Sequence, residues 1–512
     1  MPRLSFTGPP SQVPLPRLDS SSCASRRAKL SRAGGTMGIP VERWRALVNF
    51  GRNLRWRTRC RRPRNDEEVL RLLQEHRSEH IRAIGSLHSW SEIAQVSGIT
   101  LDMREFADVR PYANKVQVGA GCTLERLLER LEEINARTLP TMGVIKRQTV
   151  SGIISTATHG SGESSLSHFV TALRIAAYDE DGQPKVFDYR DGDELRAARC
   201  ALGRMGVILS IEFSTVPAYR VRETIRIVDR VEDALALYRH HPLTQFALVP
   251  YAWKVVAWGR HKMPPGQSGS CPIRAALFRA LNVILIDFLF HASLRACLLL
   301  GSFATKGLMK TMPWLLKPLA NIPRVDAAEH VLTLNHHWFT HEEMEMFIPS
   351  SKVVAAAQLL RNAIEISAGH DASIPPDIES QLRAQGLYDE LMQLRGRYVH
   401  HYPVNFRIVL PDDALVSMTG SSNADWFSCS LFTYHRPGRR KGFYDLCSWC
   451  AHAMHMLFGA RLHWGKHYPQ RLDSTATARM YPNLDRFRHL CRKVDPNGVF
   501  RNDFTDRVLG TG

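Results

Sequence analysis

Three features that would each assign this chain to a common class of protein are absent from its sequence. No continuous apolar stretch follows Met1, so a secretory signal is not indicated. No G-x-G-x-x-G segment opens a helix after a strand, so a Rossmann dinucleotide site is not supported. Cys447 and Cys450 form the only C-x-x-C pair among ten cysteines, and without a second pair a zinc site is not expected. We therefore expect free thiols in a reducing compartment.

Acidic residues are scarce in two parts of the chain. The formal net charge is +18, and residues 1–64 contribute 15 Lys and Arg against two acids. Residues 234–325 contribute 11 Lys and Arg against Asp287 alone. The basic charge is therefore local, and the arginines of the N-terminal part are interleaved with only Trp44 and Trp56, too few aromatic residues for a nucleic-acid-binding module. We expect no nucleic-acid partner.

The N-terminal arm is one of these basic parts. Residues 1–36 are rich in Ser, Pro and Arg and contain one acid. This composition fits either a disordered extension, with Met37 as an alternative start, or an organelle-targeting presequence. We assign residues 1–45 to an arm outside the folded domains.

The second basic part contains the apolar run Leu281–Leu300, which is long enough to suggest a transmembrane helix. However, Asp287, His291 and Arg295 recur every fourth residue and would share one helical face, which a lipid-spanning helix avoids. An amphipathic helix on a membrane surface, within a segment of about residues 270–325, fits this pattern, and a buried helix fits it equally well. The flanking basic residues are Arg274, Arg279, Lys306, Lys310 and Lys317.

The rest of the chain mixes helix and strand patterns and is long enough for two domains. Asn65 and Thr123 each precede a helical pattern as candidate N-caps, and Asp181-Gly182 marks a hairpin between two strand patterns. The histidine pairs lack further ligands at fixed spacing, so we expect surface or core histidines and no metal site. These pairs are His240/His241, His336/His337 and His400/His401.

Three segments together indicate a family. They are "GSLHSWSEIA" (85–94), "TVSGIISTATHGSG" (149–162) and "HWGK" (463–466). Gly- and Ser-rich turns let backbone N–H groups approach a phosphate closely. In this order the segments resemble those of the FAD-linked aldonolactone oxidases, which include gulonolactone and arabinonolactone oxidases, and of the related alditol oxidases, within the vanillyl-alcohol-oxidase superfamily.

The resemblance implies an α+β fold with a particular domain order. A two-subdomain PCMH-type FAD-binding domain would span residues 46–218, and an α+β substrate domain would span residues 219–457. Residues 458–512 would return to the flavin as an active-site segment.

The resemblance also assigns cofactor-binding residues. His88 matches the family histidine that carries the flavin covalently through its 8α-methyl group, a role open to a neutral imidazole. Gly143 stands where dehydrogenase-type relatives carry alanine, which favours access of dioxygen. The implied cofactor-binding residues are Gly85, Ser86, Leu87, His88, Ser89, Gly143, Ser151, Gly152, Ser155, Thr158, His159, Gly160 and Ile208.

The implied catalytic residues are Lys466, His463, Arg407 and Asn405. Lys466 would stabilise negative charge on the flavin ring, with His463 positioning flavin or substrate. The family usually reads Glu-x-Arg where this chain has Asn405 and Arg407. Because an amide cannot take a proton, either another group or water deprotonates the substrate, or the substrate differs, or turnover is slow.

The function implied is FAD-dependent oxidation of an aldono-1,4-lactone by dioxygen, giving an ascorbate-type product and hydrogen peroxide. Arabinono-, gulono- and galactono-lactone are the candidate substrates. Two alternatives are an alditol oxidase acting on xylitol or sorbitol, and a membrane-associated flavoprotein with weakened catalysis. We expect an intracellular location, with peripheral contact to a mitochondrial, endoplasmic-reticulum or glycosome/peroxisome-type membrane.

Overall fold

The first part of the chain folds into two sheets of different type. A computed structural model describes residues 44–143, 145–264, 272–333 and 340–511. The N-terminal arm up to residue 43 and the pair His336/His337 lie outside the described residues. The strands of this part are β1 (Trp44–Val48), β2 (Arg55–Arg61), β3 (Ile81–Ile84), β4 (Ile99–Asp102), β5 (Val109–Tyr112), β6 (Lys115–Gly119), β7 (Arg137–Thr138), β8 (Val170–Tyr178), β9 (Pro184–Tyr189), β10 (Val207–Ser214) and β11 (Val216–Pro217).

One of the two sheets is mixed and the other is antiparallel. The mixed sheet has the order β1-β2-β4-β3, with β2, β4 and β3 parallel and β1 antiparallel to β2. The antiparallel sheet has the order β5-β6-β10-β8-β9, and the short strands β7 and β11 pair separately. The hairpin predicted at Asp181-Gly182 joins β8 to β9, and Gly182 supplies the left-handed turn residue (φ +72°).

The second part of the chain contributes one large antiparallel sheet. Its order is β15-β12-β14-β13-β17-β18-β16-β19. The strands are β12 (Arg220–Val228), β13 (Gln245–Leu248), β14 (Val255–Lys262), β15 (Arg324–Ala327), β16 (Glu342–Pro349), β17 (Val404–Val409), β18 (Trp426–Thr433) and β19 (Arg461–Leu462).

Helices cover these sheets, and their starting points follow the sequence signals. Asn65 accepts from the Glu68 N–H and Thr123 accepts from the Arg126 N–H, so both predicted caps are confirmed. The helices are α1 (Asp66–Glu75), α2 (Leu124–Asn135), α3 (Val150–Ser155), α4 (Gly192–Ala198), α5 (Val231–Ala236), α6 (Pro272–Leu281), α7 (His291–Leu300), α8 (Ser302–Leu316), α9 (Ala328–Leu332), α10 (Val353–Ser367), α11 (Pro376–Ala384), α12 (Leu387–Gln393), α13 (Lys441–Phe458), α14 (Ser474–Met480), α15 (Leu484–Val494) and α16 (Asp503–Leu509).

The apolar run at Leu281–Leu300 is helical throughout. A π-helical stretch, Asn282–Phe290, joins α6 to α7 without a break. Residues Arg279–Leu300 form a helix long and apolar enough to cross a membrane by length and composition, yet only 12% of its most apolar window is buried. The fully buried alternative for this helix is therefore wrong.

Two predicted histidine pairs occupy different environments. His240 is exposed, whereas His400 and His401 are fully buried in the core. Burial lowers the pKa of His400 to about 3 because the interior disfavours the imidazolium form. Burial together with the neighbouring His435 and His400 holds the pKa of His401 well below its usual value.

The buried histidines predict a loss of stability in mild acid. Below a pH of about 6.5 the unfolded chain binds a proton at His400 that the folded chain does not bind. The free energy of unfolding therefore decreases as the pH is lowered. Between about pH 6.5 and 5.5 this single histidine accounts for about 1 kcal/mol of the loss. Urea unfolding at both pH values should show a smaller loss in His400→Gln than in the parent. An equal loss in the two proteins would contradict this account.

Candidate flavin and substrate site

A cavity of about 240 Å³ lies between the first part of the chain and the eight-stranded sheet. Its walls come from the loop after β3, from α3 and the loop after it, from the start of β10, and from the sheet itself. Fifteen of the seventeen predicted site residues line it: Gly85, Ser86, Leu87, His88, Ser89, Ser151, Gly152, Ser155, Thr158, His159, Ile208, Asn405, Arg407, His463 and Lys466.

The two Gly/Ser-rich loops are locked against each other. A Cβ at Gly85 would lie 1.8 Å from the Thr149 hydroxyl oxygen, so only glycine permits this contact. The Ser86 hydroxyl donates to the Arg147 carbonyl at 2.6 Å, and Leu87 adopts a left-handed conformation (φ +54°). Strained backbone of this kind persists where the surroundings impose it, commonly at ligand sites.

His88 is positioned by the turn that follows β1. Its ring stacks on Phe50, with centroids 5.1 Å apart and planes 22° apart. The Phe50 N–H donates to the Leu87 carbonyl at 2.9 Å, and the Asn49 amide donates to the Ser89 carbonyl at 2.8 Å. The histidine therefore stands on a fixed loop at the cavity wall.

Gly143 and Gly160 are the two predicted cofactor-binding residues that do not line this cavity. A Cβ at Gly143 would lie 2.9 Å from the Thr158 methyl group, and Thr158 does line the cavity. A Cβ at Gly160 would lie 2.9 Å from the Met142 carbonyl oxygen. Both glycines lie outside the cavity wall, and each lets a neighbouring segment approach closely.

Buried polar atoms along the cavity wall suit a bound polar, anionic cofactor. Arg82 is 4% exposed and donates to the carbonyls of Ile93, Leu202 and Phe500, while its Nε has no partner within the described residues. Burial lowers the pKa of Arg82 to about 9, with nearby Arg204 adding to the effect. A buried cation beside a cavity fits a pyrophosphate, so these residues fit FAD.

The segment "HWGK" reaches the cavity because it is hydrogen-bonded to the loop after β3. The Trp90 N–H donates to the Gly465 carbonyl at 2.9 Å. The Ser91 hydroxyl donates to the Trp464 carbonyl at 2.6 Å. The C-terminal segment therefore returns to the Gly/Ser-rich loop after β3, as the sequence predicted.

His463 is buried and neutral. Burial holds its pKa well below the usual value. Its Nδ1 accepts the Gly465 N–H at 3.0 Å, which assigns the proton of the neutral ring to Nε2. His463 can therefore donate one hydrogen bond from Nε2.

Lys466, which is partly buried, forms an ion pair that the sequence did not predict. Its Nζ donates to Glu343 and lies over the Trp90 ring, 4.6 Å from the centroid. Glu343 also lines the cavity. The positive charge is thus fixed at the cavity edge by a carboxylate and an aromatic face.

A second ion pair joins the partly buried Arg407 to the buried Glu345. Arg407 donates to Glu345 Oε1 at 2.7 Å, and His159 Nε2 lies 3.2 Å from the same oxygen. Burial alone would raise the pKa of Glu345, but Arg407 and His159 outweigh it and hold the pKa well below the usual value. The other oxygen, Oε2, is buried and has no partner within the described residues.

Strand alternation places both carboxylates on the cavity side of the sheet. In β16, Glu343 and Glu345 share one face, while Glu342 faces Arg440 on the opposite side. Across the sheet, Asn405 pairs with Ser430, and Ser430 pairs with Glu345. Glu345 therefore lies two strands from Asn405, at about 4.8 Å per strand. It brings to the same cavity the carboxylate that Asn405 lacks.

Sequence reasoning missed both glutamates, although a signal was present. The segment "EEMEMFIP" (342–349) places three acids in a strand that is otherwise apolar. Acids in a buried strand need partners, so such a pattern marks a candidate site.

The same cluster satisfies the geometry of a metal site. Ligand atoms of His159, Glu345 and His463 lie within 4.8 Å of one another. However, Arg407 already neutralises Glu345, and Lys466 lies nearby as a further charge that lowers the pKa of Glu345. Two cations beside the carboxylate favour the ion-pair arrangement over a bound metal cation.

The end of the cavity nearest β18 is aromatic. Tyr402 lies 5.0 Å from Phe432 and 5.2 Å from Tyr434 between ring centroids, and His341 lies 5.3 Å from Tyr434. All four residues line the cavity. The cavity wall therefore has a polar cluster around Glu345 and an aromatic cluster that begins at Phe432, the cross-strand neighbour of Glu343.

Comparisons with known proteins agree with this site. Residues 59–185 match the FAD binding domain family. A long-chain alcohol oxidase from an uncultured marine euryarchaeote is 34% identical over 473 residues, covering 90% of this chain and 96% of that protein. An L-gulono-1,4-lactone dehydrogenase from Mycobacterium tuberculosis is 24% identical over 466 residues, covering 88% and 95%.

Among solved structures, cholesterol oxidase from B. sterolicum has the same fold. The TM-score is 0.70 at 16% identity, with 94% of this chain and 100% of that chain covered. Residues 211–508, more than half of the chain, match the D-arabinono-1,4-lactone oxidase family. The chain therefore belongs to the D-arabinono-1,4-lactone oxidase family and is an FAD-dependent oxidoreductase.

Proposed function

We propose that the protein oxidises the CH–OH group of an organic substrate, with dioxygen as the electron acceptor. The observation that carries this proposal is Oε2 of Glu345, a buried anionic acceptor at the cavity that has no partner among the residues that the structure describes. A substrate hydroxyl is a donor of the right kind for this oxygen. FAD, which the cavity-lining loops around His88 and Ser151 would hold, would supply the acceptor for the hydride lost by the carbon that bears the hydroxyl, and dioxygen would take the electrons as hydrogen peroxide.

In this proposal the side chains at the cavity have separate roles. Glu345, kept ionised by Arg407, accepts the hydrogen bond of the hydroxyl and draws its proton away from the carbon to be oxidised. His463 donates from Nε2 and orients the substrate. Lys466, fixed by Glu343, supplies positive charge for the negative charge that develops on the cofactor. In this proposal Asn405 binds substrate, and Glu345 takes the role of the family glutamate.

The substrate candidates differ in how many hydroxyl groups they carry. A sugar lactone of the arabinono, gulono or galactono type would yield an ascorbate-type product, and the family match supports this class. A long-chain alcohol would place its hydroxyl at Glu345 and its hydrocarbon chain among the aromatic residues of the β18 end. The 34% identity to a long-chain alcohol oxidase, against 24% to the lactone dehydrogenase, favours the alcohol.

We also propose that the protein contacts an intracellular membrane. Large apolar side chains are exposed along α6 to α8, including Leu299 (78%), Leu300 (77%) and Phe303 (93%). Exposed apolar surface on this scale marks an interaction site.

An anaerobic titration tests the reaction and the substrate class. The purified FAD-loaded protein is mixed with three lactones (arabinono, gulono and galactono), with xylitol, and with straight-chain primary alcohols, and loss of the flavin's visible absorbance is followed. We expect bleaching by the alcohols and slower or no bleaching by the others. Bleaching by a lactone alone would restore the lactone assignment, and bleaching by none would remove the proposed function.

Glu345→Gln tests the role of the carboxylate in the same assay. We expect bleaching to slow by about 100-fold, because glutamine cannot take up the hydroxyl proton. Glu133→Gln is the control, since it makes the same change at an exposed position of α2. Equal rates in Glu345→Gln and the parent would exclude Glu345 as the proton acceptor.

We further propose that FAD is attached covalently to His88, which lines the cavity on a fixed loop. On acid precipitation, the parent should keep its yellow colour in the pellet, and His88→Ala should release it into the supernatant. His341→Gln is the control, because His341 lines the same cavity and also contacts Phe50. Release of flavin from the parent would show that the cofactor is bound without a covalent bond.

A further inference from the structure

Most of the large apolar side chains that the described residues expose belong to one segment, which we call the helical hairpin (residues 272–316). It consists of α6, the π-helical stretch, α7 and α8. Its strongly exposed apolar residues are Leu277, Val283, Ile284, Leu285, Phe288, Leu289, Leu299, Leu300, Phe303, Trp314 and Leu315. Few such residues are exposed elsewhere in the described chain, so the helical hairpin forms a distinct apolar surface.

The helical hairpin is apolar on its outer side and attached to the protein on its inner side. His291 and Leu294 of α7 and Met309 of α8 are buried. Arg295 donates to the Thr340 carbonyl at 3.3 Å. The side chain of Asp287, predicted to share this face, lies outside the described residues. A helix held to protein along one side suits an interface, whereas a membrane-spanning helix is surrounded by lipid or other helices.

The tip of the helical hairpin has the character of a membrane-inserting turn. Gly301 joins α7 to α8 with φ +101°, and a Cβ there would meet no atom within 4 Å. Leu299, Leu300 and Phe303 flank it and are the most exposed of the apolar residues. The turn therefore presents apolar side chains directly to its surroundings.

Basic residues accompany this apolar surface. Lys310 of α8 and Lys317, which directly follows α8, are exposed. Lys306 of α8 is partly exposed. Residues 272–316 contain Asp287 as their only acid. Such a combination of apolar and basic groups complements an anionic lipid headgroup layer above a hydrocarbon interior.

The inner side of the same helix touches the aromatic end of the cavity. His291 Nε2 lies 2.9 Å from the Tyr434 hydroxyl, and the Phe290 ring lies 5.6 Å from the Tyr402 ring. Tyr402 and Tyr434 both line the cavity. One helix therefore separates the apolar outer surface from the end of the cavity that suits a hydrocarbon chain.

We propose that the helical hairpin docks on an anionic bilayer and that the aromatic end of the cavity receives a long-chain alcohol from that bilayer. The docking rests on the exposed apolar and basic residues alone. The entry of substrate also rests on the proposed oxidation of an alcohol.

Vesicle sedimentation tests the docking without reference to activity. The FAD-loaded protein is mixed with phosphatidylcholine vesicles that contain or lack phosphatidylserine. We expect binding to the anionic vesicles, and a reduction of at least about tenfold when Leu299, Leu300 and Phe303 are all changed to serine. The control changes Ile134 and Val354, which are also exposed apolar residues, to serine and should bind as the parent does.

Several results would overturn the docking. These are failure of the parent to sediment, equal sedimentation of the triple-serine variant, or a parent dimer that the triple-serine change dissociates without any vesicle binding. Lys310→Glu with Lys317→Glu, in and directly after α8, should also weaken binding to anionic vesicles, with Lys352→Glu, at an exposed lysine between β16 and α10, as the control. Unchanged binding in the double variant would remove the electrostatic part of the proposal.

Substrate entry is tested by comparing a membrane-resident alcohol with a soluble one. With hexadecanol in anionic vesicles, the triple-serine variant should turn over at least about tenfold more slowly than the parent. With hexanol in buffer, the two proteins should be equally fast. Equal rates with hexadecanol would overturn entry from the bilayer. If the parent oxidises neither alcohol, the proposed function fails while sedimentation still decides the docking.

Discussion

The arrangement of the candidate site depends on the need to compensate three carboxylates that are buried in strand β16. An unpaired buried carboxylate is so costly that each must have a cation within reach, and breaking such a pair costs about 3–5 kcal/mol. Glu342 pairs with Arg440, Glu343 with Lys466 and Glu345 with Arg407. These partners come from the start of α13, from the C-terminal segment and from β17, so one strand ties three distant parts of the chain to the cavity.

The same interactions extend to the cofactor loops. Arg440 also donates to the Gly51 carbonyl, in the turn that holds the loop of His88. Lys466 lies over Trp90, which is part of that loop. The charged network thus fixes the distance between the proposed substrate groups and the proposed cofactor loops. A pre-arranged site of this kind has little reorganisation to undergo during reaction.

The cavity wall carries a charged cluster and an aromatic cluster, and the aromatic cluster contacts the helical hairpin. His291 is the physical link, since it touches the cavity-lining Tyr434 from a helix whose other side is apolar and exposed. Of the polar residues spaced by four that argued against a transmembrane helix, His291 and Arg295 both contact the protein, His291 at Tyr434 and Arg295 at the Thr340 carbonyl.

The sequence by itself determined the local features. The N-caps at Asn65 and Thr123, the turn at Gly182 and the Gly/Ser loops follow from short-range chemistry, and the family could be identified from residues in those loops and in "HWGK". Short-range rules suffice there because each feature is satisfied within a few residues.

Only the tertiary structure decided which groups meet. Glu345 and Asn405 are 60 positions apart in sequence. They lie in one cross-strand row of the sheet because both pair with the same residue of β18. The substitution at Asn405 looked like a lost catalytic group, yet the sheet brings Glu345 to the same cavity. Likewise, the sequence left open whether Leu281–Leu300 is buried or exposed, because periodicity reports which residues share a face but not what covers that face. Strand order and helix packing arise from long-range contacts, and these decided both outcomes.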